Sequence, residues 1–154
     1  MGEGLTANYL ENLGKKHCKH FLGVFSCNMH PNIENCEIFS VIFNESRHNE
    51  EGTHFVCVFA KKNVIYYFDS LGLKCENDYI IRFLNSSGRE IIEIRKQIQS
   101  FESVFCGFFS LSFILCMCKN ISEINYVKMF NTKNLKLNDI IVVDLIIKIL
   151  SNDC

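Results

Sequence analysis

The chain has 154 residues, 48% of them hydrophobic, a formal net charge of −1 and nine cysteines. That length fits one domain able to bury about two-thirds of its unfolded surface, and the apolar content excludes a disordered chain. The near-neutral charge gives no global attraction to nucleic acid or to an acidic membrane, although a net charge can hide a local basic patch.

Leu5 to Leu13 reads as a short helix, with Thr6 as N-cap and Gly14 as its stop. FLGVFS (Phe21 to Ser26) reads as a strand, and MHPN (Met29 to Asn32), with the chain's single proline, as a loop. CEIFSVIFN (Cys36 to Asn44) is a buried strand and ESRHNEEG (Glu45 to Gly52) a turn. THFVCVFAKK (Thr53 to Lys62) and NVIYYFDS (Asn63 to Ser70) form a hairpin about the KKN corner, followed by a loop over Leu71 to Asp78. Asp78 to Ser86 reads as a helix closed by Gly88, and the alternation in Arg89 to Ser100 as a strand. Cys106 to Asn120 is apolar almost all round, which marks a central helix. Two further helices follow, Ser122 to Phe130 and Asn138 to Leu150, the latter with Asn138 as N-cap. The sum is an α+β domain spanning residues 1–154: a mixed or antiparallel central sheet of four to five strands with helices packed around it.

The cysteines constrain chemistry next. The N-terminus MGEGLTANYLENLG is polar and carries acids, unlike a secretory signal, so reduced thiols are expected. Met1-Gly2 with Thr6 touches the myristoylation pattern, which matches often by chance. Cys116 and Cys118 form C-x-C without a second pair nearby, against the four-ligand rule for structural zinc, so no metal and no cofactor is expected. The longest apolar run, Cys106 to Cys118, falls short of the ~20 residues that span a bilayer, so no membrane partner is expected.

Four polar residues stand where a packed domain has little structural use for them. His54 begins one hairpin strand, Asp69 ends the other, Gln99 ends a later strand, and Cys106 begins the buried helix. A thiol at a helix N-terminus feels the macrodipole and unpaired N–H groups, which favour the thiolate. Gly107 beside it would leave room for a substrate or an imidazole. His54 would serve as base and ion-pair partner, Asp69 would fix the imidazole tautomer, and Gln99 would donate to a developing oxyanion beside the Cys106 N–H. Gln97 is the rival for that role if both glutamines share a strand face. Taken singly, each residue has a bland reading: a buried thiol, an edge histidine, a turn acid, a solvated strand end. Only the ordered combination outweighs it.

That combination resembles the adenovirus-type cysteine proteases. The words are GTHFVCVF (Gly52 to Phe59), YYFDSLGL (Tyr66 to Leu73) and QSFESVFCGFFSL (Gln99 to Leu111), with 15 residues from His54 to Asp69 and 7 from Gln99 to Cys106. The N-terminal part is similar too: a helix ending in LG, then FLGVF (Phe21 to Phe25), then the strand through Val41-Ile42. The likeness covers roughly Leu5 to Lys119, and papain-like enzymes, with Cys before His, do not fit the order. It implies the fold of those proteases, catalytic His54, Asp69, Gln99 and Cys106, and an endopeptidase that cleaves viral precursor proteins. Such an enzyme would work in the virion and the host-cell interior, nucleus or cytoplasm. Departures are Phe55 where the family has Trp after the His, Asp69 for the adenovirus Glu, Phe105 where ubiquitin-like-protein proteases carry Asp, and a shorter C-terminal end. The resemblance also implies an activating peptide, while the near-neutral charge argues against DNA stimulation. The alternatives are a deubiquitinase or ubiquitin-like-protein protease, an inactive interaction module on the same fold, and, more distantly, a zinc-binding module.

Overall fold

The structure, a computed structural model, describes residues 6–47 and 54–152. The myristoylation pattern at Met1-Gly2, most of the turn read over Glu45 to Gly52, and Thr53 lie outside the described residues. Five strands, β1 (Phe21–Ser26), β2 (Ile38–Asn44), β3 (Phe55–Lys61), β4 (Val64–Phe68) and β5 (Glu90–Ile94), form one sheet in that order. β1–β2 and β4–β5 pair in parallel, while β2–β3 and β3–β4 are antiparallel. The helices are α1 (Ala7–His17), α2 (Asp78–Ser86), α3 (Cys106–Cys118), α4 (Glu123–Val127) and α5 (Asn138–Asn152), with a 3-10 turn at Leu135–Leu137. This is the expected α+β architecture with a mixed sheet.

Strand alternation divides the core into two layers. Ile42, Cys57, Phe59 and Phe68 point to the side of α3 and α5, where Phe68 stacks on Phe113 with ring centroids 4.6 Å apart. Val41, Phe43, Val56, Val58, Ile65 and Tyr67 point to the other side, against Ile80, Phe83 and Leu84 of α2. β2 and β3 are therefore covered on both faces, which is why they read as unbroken apolar runs. Each such side chain, fully buried, contributes about 1.5–3 kcal/mol.

Several boundaries differ from the sequence reading. Gly14 does not stop α1, which runs on to His17. A Cβ at Gly14 would come within 2.4 Å of the Phe21 ring, so this glycine admits β1 against the helix backbone rather than ending the helix. The strand expected to reach Ser100 ends at Ile94. Beyond it, Ile98 and Gln99 turn their N–H groups to the Ser70 carbonyl, each at 2.9 Å. Asn138 is not an N-cap: it is the first helical residue of α5 and fully buried. Its amide accepts from Asn131 N–H at 2.7 Å and donates to the Ile98 and Asn131 carbonyls at 2.7 and 2.9 Å.

The expectation of wholly reduced thiols also changes. Cys18 and Cys118 form a disulfide, with Cα atoms 6.1 Å apart and 100 residues of separation. It ties the residue that ends α1 to the last residue of α3, a proximity no spacing in the sequence announces.

Candidate active site

His54 stands one residue before β3, and Asp69 one residue after β4, at the open end of the hairpin. The register pairs Cys57 with Phe68. One step further, Asp69 is level with Val56, and His54, two residues beyond on the same face, is its diagonal neighbour. Across that diagonal His54 Nε2 lies 2.8 Å from Asp69 Oδ1. The same oxygen accepts the Leu71 N–H at 2.9 Å, and Asp69 is buried.

Cys106 comes from the opposite side of the sheet. The Phe55 N–H donates to Cys106 Sγ at 3.5 Å, and Ser110 Oγ donates to the Phe55 carbonyl at 3.3 Å. Two α3 side chains one turn apart thus grip the backbone of the residue after His54. That grip brings the thiol near the imidazole, whose pKa it helps to raise. With Nε2 on Asp69, Nδ1 is the ring nitrogen left for the sulfur.

Burial pushes the His54 pKa down, but the hydrogen bonds to Asp69 and Cys106 and their charges outweigh it, raising it from 6.5 to about 10. The imidazole is therefore a cation at neutral pH. α3 has Phe105 at its N-cap position, with no side-chain cap and no acid in its first turn. Its leading N–H groups have no side-chain acceptor, and they lie beside the sulfur, where they favour negative charge.

Gln99 is buried in the crossing from β5 to α3 rather than at a strand end. Ser70 Oγ donates to Gln99 Oε1, and Gln99 Nε2 donates to the Ser103 carbonyl at 3.0 Å. One further N–H remains on that amide. The Asp69–Gly72 turn therefore orients two candidates together, His54 through Asp69 and Gln99 through Ser70. A Cβ on Gly72, which has φ +73°, would stand 2.6 Å from the Gln97 nitrogen, so the turn can lie against the 96–97 backbone only with glycine there. Gln97 shares no strand face with Gln99; its Nε2 bends back to the Gln99 carbonyl at 3.0 Å.

Gly107 plays a different part from the one expected. A Cβ there would meet Leu10 at 3.1 Å and the Phe55 ring at 3.5 Å. The space beside it is filled by α1 and β3, so Gly107 seats the helix and leaves no room for a substrate. Phe55 accordingly packs beneath the first turn of α3.

Sequence reasoning missed Ser70, Ser103 and Ser110 and gave Asn138 only a capping role; all four act through hydrogen bonds to positions far along the chain. Ser103 Oγ accepts the Phe105 N–H at 3.1 Å and donates to Asp139 at 2.7 Å, bracing the approach to Cys106. A cleft of about 690 Å³ opens on the Asp69 side, lined by His54, Asp69, Glu45, Leu73, Lys74 and Arg95. Burial raises the Glu45 pKa, and the His54 charge opposes that rise. Among the described residues no three His, Cys, Asp or Glu side chains are grouped to hold a metal ion, and no helix is long and apolar enough to cross a membrane.

No family model matches the sequence and no curated protein matches it. A crystal structure of the ASFV pS273R protease is similar to this chain, with 20% sequence identity and a TM-score of 0.49 over 65% of this chain and 41% of that one. The chain thus spans less than half the length of that protease.

Proposed function

We propose that the chain is a cysteine endopeptidase acting through Cys106, His54, Asp69 and Gln99. The observation that carries this reading is the convergence of an uncapped helix N-terminus bearing Cys106 with an imidazole that Asp69 holds at 2.8 Å. The motif order shared with adenovirus-type cysteine proteases supports it independently. On this reading Cys106 and His54 rest as a thiolate–imidazolium pair, the thiol proton already on Nδ1, and the thiolate attacks the scissile carbonyl. The C–S bond forms, and the carbonyl pair moves to oxygen. The second N–H of Gln99 and the Cys106 backbone N–H stabilise that oxyanion. His54 then protonates the leaving amine as the C–N bond breaks, giving a thioester. Water, deprotonated by His54, attacks the thioester, the C–S bond breaks to release the acid product, and the thiolate–imidazolium pair is restored. Asp69 keeps the ring orientation and the imidazolium charge throughout.

The substrates on this reading are polypeptide precursors of a virus, cleaved at internal bonds. Cys106→Ala is expected to abolish cleavage of a peptide library while leaving the far-UV circular dichroism and melting temperature unchanged. Residual activity above about a tenth of wild type would refute Cys106 as nucleophile. Cleavage confined to ubiquitin-type Gly-Gly C-termini would favour a ubiquitin-like-protein protease instead.

A further inference from the structure

The other end of α3 carries a second cavity, of about 670 Å³, with no acidic residue in its lining. Lys16, Lys19, Lys61 and Lys119 surround it with His17 and His20. In a chain of net charge −1 this is a local concentration of positive charge. The run KKHCKH, Lys15 to His20, supplies most of it. Lys16 and His17 lie in the last turn of α1, where cations offset the helix dipole. That accounts for neither Lys19, in the following loop, nor Lys61, at the end of β3 and on the far wall. Lysines from α1, the following loop, β3 and the end of α3 thus line one concavity, where Lys61 Nζ donates to Asn120 Oδ1 at 3.2 Å.

The floor is apolar, made by Ile38, Phe59 and Met117. An adjoining groove of about 350 Å³ shares Phe59, Lys61, Met117 and Asn120 and adds the Tyr66 ring, with Lys62 and one acid, Glu123, in its lining. Cations beside an apolar floor and an aromatic ring suit a ligand that joins phosphates to a flat apolar group. The volume is that of a small-molecule site. A cavity of this volume, rather than an extended surface track, suits a compact ligand over a polymer backbone. By helical rise the pocket is roughly 18 Å from Cys106.

We propose that this pocket binds a small phosphorylated ligand of the nucleoside polyphosphate class. The lysines hold its phosphates by charge-assisted hydrogen bonds, and its ring lies on the apolar floor. The inference is independent of the peptidase reading.

The test is calorimetric titration of the full chain with ATP, tripolyphosphate, adenosine and a single-stranded oligonucleotide. ATP is expected to bind more tightly than tripolyphosphate, and adenosine least. Lys16→Gln/Lys19→Gln should weaken ATP by about tenfold or more. Lys128→Gln/Lys133→Gln, an equal charge change away from the pocket, should leave it unchanged. Absence of ATP binding, equal loss in both double variants, adenosine binding as well as ATP, or oligonucleotide binding without ATP binding would each overturn the proposal.

Discussion

At the N-terminal end of α3, Cys106 is half-buried, next to uncapped N–H groups and a cationic imidazole. At the C-terminal end, Cys116 is fully buried with its pKa pushed up to about 11 by burial, and Cys118 is joined to Cys18. The same side chain in one 13-residue helix thus meets three fates. Position on the helix decides among them. The N-terminus offers unspent donors and a positive dipole end, Cys116 meets mainly desolvation that the Lys119 charge only partly offsets, and the last residue meets a second sulfur. Reactivity follows from that local field and not from the residue type.

The contrast can be broken at its reactive end first. His54→Gln removes the base, and turnover should fall by about 10²–10⁴ in a peptide-cleavage assay. The same variant reports on charge. Because the His54 pKa is raised, its contribution to stability is full below 6.5 and lost as pH rises through about 10. Urea unfolding of wild type and variant should therefore differ most below that lower value and converge toward alkaline pH. A gap that widened with pH would contradict the pairing.

Gln99→Ala should lower kcat by about 10²–10³ with little change in KM, whereas Gln97→Ala, whose amide reaches only the Gln99 carbonyl, should change kcat by less than about threefold. The reverse order would assign the oxyanion role to Gln97. The inert end gives the smallest effect on activity. Cys18→Ser/Cys118→Ser opens a link of 100-residue separation and should cost about 2–4 kcal/mol of unfolding free energy, read by denaturant titration. Turnover under stabilising conditions should hold, and a loss as large as that of His54→Gln would mean that the disulfide positions Cys106.

Much of this was legible in the sequence, for identifiable reasons. β1 and α2 have the predicted limits because FLGVFS and DYIIRFLNS are bounded by strong local signals. The diagonal of His54 and Asp69 follows from hairpin register, which two adjacent strands fix locally. Gln99, expected at the end of a strand, is instead buried beyond a strand that ends at Ile94. Beyond that strand no ladder orders the chain: Ile98 and Gln99 both donate to the Ser70 carbonyl, and Asn138 donates to that of Ile98. Gly14 and Gly107 were misread for a common reason: each is glycine because a distant ring or leucine packs against it. The disulfide was hidden for the same reason, since tertiary proximity of residues 18 and 118 leaves no local trace.

The central claim is that Cys106 differs chemically from the cysteines around it because His54 and the helix terminus act on it. The most direct test is native-state alkylation by a limiting amount of iodoacetamide, with the modified residues located by mass spectrometry. Cys106 should be labelled ahead of Cys57, Cys75 and Cys116, whose thiol pKa values burial pushes up, and His54→Ala should remove the preference. Uniform labelling of these four in wild type, or an unchanged preference in His54→Ala, would contradict it.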